Sequence, residues 1–136
     1  PTGRSAKTMN IDPVGTVRKL SDNAAVVDVK PVHANGLHGL APGDHVDILY
    51  WMHELPEDAR RVLRTHPRGD RSRPQRGVFA LRSPMRPNPI GVTCVEIVDV
   101  GDHELQVRGL DAHDGSPVLD IKAARGRADE SKRRNG

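Results

Sequence analysis

The stretch from residue 82 to residue 89, RSPMRPNP, combines two arginines with three prolines. Each proline fixes φ and pushes the preceding residue into an extended conformation, so this loop is ordered before a ligand arrives. The planar guanidinium of arginine suits a carboxylate or a phosphate. Asn88 lies between two of the prolines, where its amide can contact a ligand or cap a turn. Rigidity combined with unpaired positive charge predicts a binding site for an anion.

A second group of candidate residues follows ILYWM, the most hydrophobic strand-like run. His53 and Glu54 come next, where polar groups either line a pocket at the rim of a sheet or simply begin a loop. Asp111 and Asp114 lie beside an Asp-Gly turn, where two carboxylates could bind a cation or ribose hydroxyls. The seven histidines lack the His-x-x-x-His spacing of a helical zinc site. We therefore expect the histidines to lie on the surface and not to form a metal site. The spacing of the residues also gives no sign of a Ser-His-Asp triad.

Positive charge is concentrated between residues 60 and 86. This segment has nine arginines and one acid, Asp70, for a net charge of +8, while 12 basic and 17 acidic residues make up the rest of the chain. Such asymmetry predicts an anionic partner, RNA or a phosphate-bearing ligand, although a solvated arginine-rich surface accounts for the charge equally well. The run from 65 to 76 is predicted to form a long basic loop.

Length and composition limit the class of protein. A chain of 136 residues fits one domain with one core. The single cysteine, Cys94, excludes an internal disulfide, and we expect it to be a small buried hydrophobe in the strand-like run VTCVEI. No apolar run is long enough to span a bilayer and no signal peptide opens the chain, which predicts a cytoplasmic protein. Residues 1–9 are expected to be a leader or disordered, with Met9 as a plausible natural start, and 125–136 to form a disordered polar tail.

Short strand-like segments dominate the chain. Apolar alternation and turn residues predict strands at 13–20, 24–30, 44–53, 77–81, 90–100, 103–110 and 116–122. In the third of these, Val46, Ile48 and Tyr50 share one face. The one helix candidate is 55–64, with acids in its first turn and arginines later. Many short strands with one small helix favour a mostly antiparallel barrel or sandwich, and no Gly-x-Gly-x-x-Gly or P-loop motif is present.

Two runs make the sequence recognisable: RGVFALRSPMRPNPIGVTCVEI and GLDAHDGSPVLDIK. With PVGTVR and GLHGLAPGDHVDILYWMHE they resemble the TsaA-like (TrmO) family of tRNA methyltransferases, which act on N6-threonylcarbamoyladenosine beside the anticodon. The resemblance covers residues 11–122. It implies a single compact antiparallel β-barrel with one or two short helices over residues 10–124. It also implies that S-adenosylmethionine binds outside any Rossmann fold, and that the chain forms a homodimer and modifies tRNA.

The resemblance also implies site residues. Positions that contact the cofactor would be His53, Glu54, Arg82, Val92, Asp111, Ala112, His113 and Asp114. Residues expected to meet the substrate or RNA are Arg64, Arg68, Arg71, Arg73, Arg86 and Asn88. Removing the proton from a poorly nucleophilic N6 calls for a base. His53, Glu54 and Asp111 are the candidates, and the sequence does not choose among them.

Three departures from the family leave other functions open. Leu81 replaces the threonine of the commonest loop, and the SDN connection lacks an insertion with a Pro-Arg-Gln segment that longer members use at the cofactor site. Longer members also add a C-terminal domain implicated in tRNA handling, whereas this chain ends soon after the predicted barrel. The alternatives are a methyltransferase for a small molecule and a non-catalytic module that binds S-adenosylmethionine or RNA.

Overall fold

Alternating apolar residues direct one face of each strand into a common core. In the computed structural model, which describes residues 8–125, Val46, Ile48 and Tyr50 are at most 5 % exposed, and the residues between them are partly exposed. The prediction that these three residues share one face is confirmed, and the structure shows that this face points into the core. Small aliphatic side chains fill most of the core, because burying their apolar area drives folding without a polar atom to satisfy.

The barrel is built from six of the strands. The strands in the described part of the chain are β1 (Gly15–Lys19), β2 (Ala24–Val29), β3 (His45–Trp51), β4 (Arg64–Thr65), β5 (Arg76–Gly77), β6 (Ile90–Val100), β7 (Glu104–Arg108) and β8 (Pro117–Ala123). A closed barrel forms in the order β1-β2-β7-β6-β3-β8, and β4 and β5 form a separate ribbon. All pairings are antiparallel, so the predicted antiparallel barrel is confirmed.

Short 3-10 helices connect the strands. Those in the described residues are Pro31–Leu37, Glu57–Arg61, Pro67–Gly69 and Val78–Ala80. The predicted helix at 55–64 is therefore only a five-residue 3-10 turn, and the chain is extended again at Val62. A segment this short buries little apolar surface, Ala59 being its buried residue, and cannot offset the cost of helix nucleation.

Two further predictions about local structure are wrong. The predicted strand 77–81 begins with the last residue of β5 and then turns into the 3-10 helix Val78–Ala80. Cys94 is exposed rather than buried. On β6 the odd positions Val95 and Ile97 face the core, so Cys94 faces outward beside Asp47 of β3.

Strand register brings three distant segments to one edge of the barrel. Trp51, at the end of β3, pairs with Ile90, at the start of β6. On its other side β3 pairs Tyr50 with Val118, near the start of β8. The residues after β3, before β6 and before β8 therefore meet at this edge, although they are far apart in sequence.

Parts of the sequence lie outside the described residues. These are positions 1–7 of the expected leader and 126–136 of the expected tail. Within residues 8–125, none of the helices has the length and apolarity needed to cross a bilayer.

Candidate functional site

A groove of about 1470 Å³ opens at the edge where these segments meet. Its walls are the end of β3, the basic segment around β4 and β5, the proline-rich loop, the start of β6 and the connection between β7 and β8. The groove thus collects most of the polar residues that the sequence singled out.

Two histidines link the residue pair after β3 to the connection before β8. Nδ1 of His113 donates to the carboxylate of Glu54. Nδ1 of His53 lies 3.4 Å from Oγ of Ser116, the buried polar residue of the described core. Asp111 also lines the groove, and no hydrogen bond or ion pair of its carboxylate is found within residues 8–125.

A tight turn shapes the connection before β8. The amide of Ser116 donates to the carbonyl of His113 over 3.1 Å, and Gly115 between them has φ of +83°. The Asp-Gly turn predicted here is confirmed, since glycine enters this left-handed region without a Cβ penalty. Lys19 holds the connection to β1: its amide donates to Asp114 over 2.9 Å and its Nζ to the carbonyl of Leu110 over 2.7 Å.

The proline-rich loop is held by the guanidinium of Arg86. It donates to the carbonyls of Leu81, Ser83 and Val78 over 3.0–3.1 Å. The expectation of unpaired positive charge in this loop is therefore wrong for Arg86. Its planar fork reaches several carbonyls at once, and these contacts brace the bend at Val78–Ala80.

A second arginine braces the same loop from outside. Nε of Arg60 donates to the carbonyl of Pro87 over 2.7 Å, and its NH2 group donates to the side-chain oxygen of Asn88 over 3.1 Å. The Arg60 guanidinium also lies 5.3 Å from the ring centroid of Trp51. The amide oxygen of Asn88 thus accepts from a guanidinium of the chain itself, which is neither of the two roles that the sequence left open.

Tyr50 lies across the start of β6 and contributes to the groove wall. Its hydroxyl shares a 3.0 Å hydrogen bond with Oγ1 of Thr93. A Cβ placed on Gly91, its partner in the strand register, would lie 2.5 Å from the ring. Gly91 is needed because the ring occupies the space where a side chain would be.

The basic segment has its own frame. The β4–β5 ribbon closes its base, and Nδ1 of His66 donates to the carbonyl of Arg73 over 2.7 Å. Asp70 accepts from the hydroxyl and the amide of Ser72, and these hydrogen bonds lower the pKa of Asp70. Arg68 has φ of +53°, a left-handed conformation that costs a non-glycine residue about 1 kcal/mol.

Most, but not all, of the predicted site residues line the groove. Those of the cofactor set that do so are His53, Glu54, Arg82, Val92, Asp111 and His113; those of the RNA set are Arg68, Arg73, Arg86 and Asn88. Ala112 is 2 % exposed and belongs to the core. The carboxylate of Asp114 accepts a hydrogen bond from the Lys19 amide, and Arg64 and Arg71 are exposed residues outside the groove lining.

Within residues 8–125 no three His, Cys, Asp or Glu side chains are grouped to hold a metal ion.

Sequence reasoning missed several residues of the site. These are Ser116, Tyr50 and Phe79, which lie within the runs that carry the family resemblance but are not singled out there, and Arg60. The alternation of β3 predicts that Tyr50 shares a face with Val46 and Ile48, but the place of its ring in the groove depends on Gly91. Phe79 is predicted to lie in a strand. The signal that could have marked it as a site residue is that the one phenylalanine of the chain lies in its arginine-rich segment.

Comparison with known proteins shows what the chain resembles in sequence. The family model of the tRNA-methyltransferase O N-terminal domain matches residues 13–130. A probable S-adenosyl-L-methionine-binding protein of Methanocaldococcus jannaschii is 39 % identical over 113 residues, covering 82 % of this chain and 89 % of the relative. An S-adenosyl-L-methionine-binding protein of Archaeoglobus fulgidus is 45 % identical over 104 residues, covering 76 % and 71 %.

Solved structures agree with this match. The crystal structure of TrmO from Pseudomonas aeruginosa has a TM-score of 0.66 and 26 % identity, and the alignment covers 90 % of this chain and 58 % of that one. A second TrmO crystal structure has a TM-score of 0.68 at 27 % identity, with 90 % and 60 % covered. The chain spans about three fifths of these longer proteins. On the match over residues 13–130 and the shared barrel, the chain belongs to the family of the tRNA-methyltransferase O N-terminal domain.

Proposed function

We propose that residues 10–124 bind S-adenosyl-L-methionine in the groove and transfer its methyl group to N6 of threonylcarbamoyladenosine in a tRNA anticodon loop. The observation that carries this proposal is that one groove holds both the carboxylates Glu54 and Asp111 and the guanidinium of Arg82. The relatives' names support S-adenosyl-L-methionine as the cofactor, and the family's name supports tRNA as the substrate. With tRNA as its substrate, the protein is proposed to act in the cytoplasm.

The chemistry of the lining fits S-adenosyl-L-methionine. Carboxylates suit its sulfonium and ammonium charges, and Arg82 suits its carboxylate. Met52 and Val92 offer apolar surface for the adenine. A volume of about 1470 Å³ exceeds the roughly 300–1000 Å³ typical of small-molecule sites, which leaves space for a second reactant.

The chain's own residues would orient the reactants and accept a proton. When bound, the cofactor supplies a methyl carbon that N6 takes from a positively charged sulfur, leaving a neutral sulfide. Of the three candidate bases, Glu54 is paired with His113 and His53 lies against Ser116. Asp111 has no partner in the described residues, and we assign it as the base that accepts the N6 proton. Alignment of the two reactants would supply the rest of the rate acceleration, because the methyl donor is already activated.

The cofactor site is tested by calorimetric titration with S-adenosyl-L-methionine and S-adenosylhomocysteine. Both should bind the unaltered protein, and Arg82→Ala should weaken the binding of both at least tenfold, since charged hydrogen bonds contribute about 1.5–3 kcal/mol. Arg71→Ala is the matched control, because Arg71 lies in the basic segment but outside the groove lining. Absence of binding by the unaltered protein would exclude the proposal.

The substrate is tested by transfer of labelled methyl groups. Transfer to tRNA that carries threonylcarbamoyladenosine, and not to tRNA lacking it, is expected. Transfer that ignores tRNA would favour a small-molecule substrate, and binding of cofactor and RNA without turnover would favour a non-catalytic module. Asp111→Asn should lower the rate of transfer by more than it weakens S-adenosylhomocysteine binding, because the lost carboxylate is the proton acceptor as well as a partner for the ammonium group.

We further propose that two copies associate through the outer face of β3 and β6. Leu49 and Trp51 of β3 lie beside Val92 and Ile90 of β6 on this face. Ile90 and Val92, which are 37 % and 41 % exposed, also line the groove, so this interface would lie at the rim of the cofactor site. Exposed apolar residues that are adjacent in this way favour protein contact. Light scattering should give twice the chain mass, and Leu49→Lys should give the monomer mass.

A further inference from the structure

Phe79 is the single phenylalanine of the sequence, and its side chain is exposed. The residue is 81 % exposed on the 3-10 turn Val78–Ala80 and lines the groove. Tyr50, which also has a six-membered aromatic ring and lines the groove, is by contrast 5 % exposed. An aromatic ring that folding could have buried is instead presented to whatever enters the groove.

The backbone that carries Phe79 is held firmly on both sides. The amide of Val78 donates to the carbonyl of Leu63 over 2.9 Å, and the Val78 side chain is 1 % exposed. The carbonyl of Val78 accepts from Arg86 over 3.1 Å, and the Leu81 amide donates to the same carbonyl over 3.1 Å. Little backbone freedom is left to lose when a ligand contacts the ring, so contact area converts efficiently into affinity.

The charge around Phe79 identifies the class of ligand. Arg68, Arg73, Arg76 and Arg82 line the same groove, and the structure of residues 8–125 gives none of their guanidiniums a hydrogen-bond or ion-pair partner. Arginines on the barrel behave differently: Arg18 pairs with Asp28 and Arg108 with Glu96, each over 2.9 Å. Asp70, the one acid among residues 60–86, accepts a hydrogen bond from the Ser72 hydroxyl.

An exposed ring among unpaired guanidiniums matches single-stranded nucleic acid. Bases stack on the ring, and successive phosphates bind the cations. We propose that Phe79 is a stacking platform for an unpaired base next to the nucleotide that is modified, and that Arg73 and Arg76 bind its flanking phosphates. The proposal rests on the RNA substrate of the proposed function and adds the residue that selects single-stranded RNA over a duplex, whose bases are already stacked.

The test measures fluorescence anisotropy of a labelled anticodon stem-loop RNA in the presence of S-adenosylhomocysteine. Phe79→Ala should weaken RNA binding about five- to a hundredfold, the range for one base–aromatic stack. Phe79→Trp should restore binding, whereas Phe79→Leu, which keeps apolar area without a π face, should not. Leu63→Ala is the matched control, because Leu63 is 59 % exposed and lies outside the groove lining.

Salt dependence separates stacking from phosphate binding. Phe79→Ala should leave the slope of log affinity against log salt unchanged, because no phosphate contact is lost. Arg73→Ala should make that slope shallower by about 0.7, the value for one phosphate of a single strand. Replacing the RNA by a fully paired duplex should remove the difference between Phe79→Ala and the unaltered protein.

Three results would overturn the role of Phe79. Phe79→Leu binding RNA as well as the unaltered protein would exclude stacking. Weaker S-adenosylhomocysteine binding by Phe79→Ala without RNA would assign the ring to the cofactor site, and conversion of a dimer to a monomer would assign it to a subunit interface. Failure of the proposed function can be told apart from failure of the stacking platform. If RNA binding depends on Phe79 but no methyl group is transferred, only the proposed activity is contradicted. If methyl transfer occurs and Phe79→Ala does not affect it, only the stacking platform is contradicted.

Discussion

Glu54 and His113 lie 59 residues apart in the chain, and the carboxylate of Glu54 accepts a hydrogen bond from Nδ1 of His113 at the groove. This hydrogen bond ties the segment after β3 to the connection before β8. Both side chains are more than half exposed, at 58 % and 72 %, so the pair contributes little to stability. Because both residues line the groove, we propose that the hydrogen bond holds the carboxylate for a ligand.

Breaking this pair should affect binding more than folding. Glu54→Gln should weaken S-adenosyl-L-methionine binding about tenfold in calorimetry, because a carboxylate facing the cofactor's positive charge is lost. The free energy of unfolding in urea should change by less than about 1 kcal/mol. Glu57→Gln, an exposed carboxylate on the 3-10 turn after β3, should change neither. A loss of stability with unchanged affinity would contradict this role.

Arg86 should matter for stability because its guanidinium donates to three backbone carbonyls. Arg86→Met should lower the free energy of unfolding by about 1–3 kcal/mol, since the carbonyls of Leu81 and Ser83 lose this donor and that of Val78 keeps only the Leu81 amide. Arg86→Lys should recover little of that loss, because an ammonium lacks the planar fork. Arg82→Lys is the control: no partner of Arg82 is found in the described chain, and urea unfolding should be unchanged.

Gly91 should tolerate no side chain while Tyr50 is present. A Cβ at Gly91 would lie 2.5 Å from the Tyr50 ring, so Gly91→Ala should lower the free energy of unfolding by about 1–3 kcal/mol. Tyr50→Leu in the same chain should relieve part of this cost by vacating the space, whereas Tyr50→Phe keeps the ring and should not. Equal effects of the two second substitutions would show that the clash is not with the ring.

Arg18 and Asp28 make stability depend on acid pH. The hydrogen bond from Arg18 lowers the pKa of Asp28 below the value of about 3.9 for an unperturbed aspartate. A lowered folded-state pKa contributes stability above the unfolded value, and that stability is lost as the pH falls through the folded one. Asp28→Asn should therefore be less stable than the unaltered protein at pH 7, by at most about 1 kcal/mol for an exposed pair.

The difference should shrink in urea unfolding below about pH 4. Asp102→Asn, in the exposed turn between β6 and β7, should show no such pH dependence. A difference at pH 7 that persisted unchanged at pH 3 would assign the effect to packing rather than to charge.

Arg68 illustrates a conflict between stability and binding. Because its φ of +53° suits glycine, Arg68→Gly should raise the free energy of unfolding by up to about 1 kcal/mol. Binding of the anticodon stem-loop should weaken, since a groove arginine is removed. Arg71→Gly, whose backbone has no positive φ, should give no gain in stability. Increased stability without weaker RNA binding would exclude Arg68 from the RNA surface.

Several features followed from the sequence alone. The short-strand pattern left an antiparallel barrel or a sandwich open, and the resemblance to the family selected the barrel. The alternation of Val46, Ile48 and Tyr50 and the Asp-Gly turn at Gly115 were predicted correctly from the residues themselves. Each depends on local chemistry: a strand alternates its faces at every second residue, and a left-handed turn needs glycine. The motifs around Arg82 and Asp111 carried the resemblance to the family for the same reason, since they are contiguous in the chain.

The tertiary structure decided which side chains remain available to a ligand. Arg82 and Arg86 are equivalent in residue type and lie in the same loop, yet Arg86 donates hydrogen bonds to three carbonyls and no partner of Arg82 is found within the described residues. Asp111 lines the groove while Asp114 is bonded to Lys19 on β1. Strand register and loop path determine these partners, and both are set by contacts between segments far apart in the chain. Local residue type therefore determined the strands and motifs, and long-range pairing determined the site.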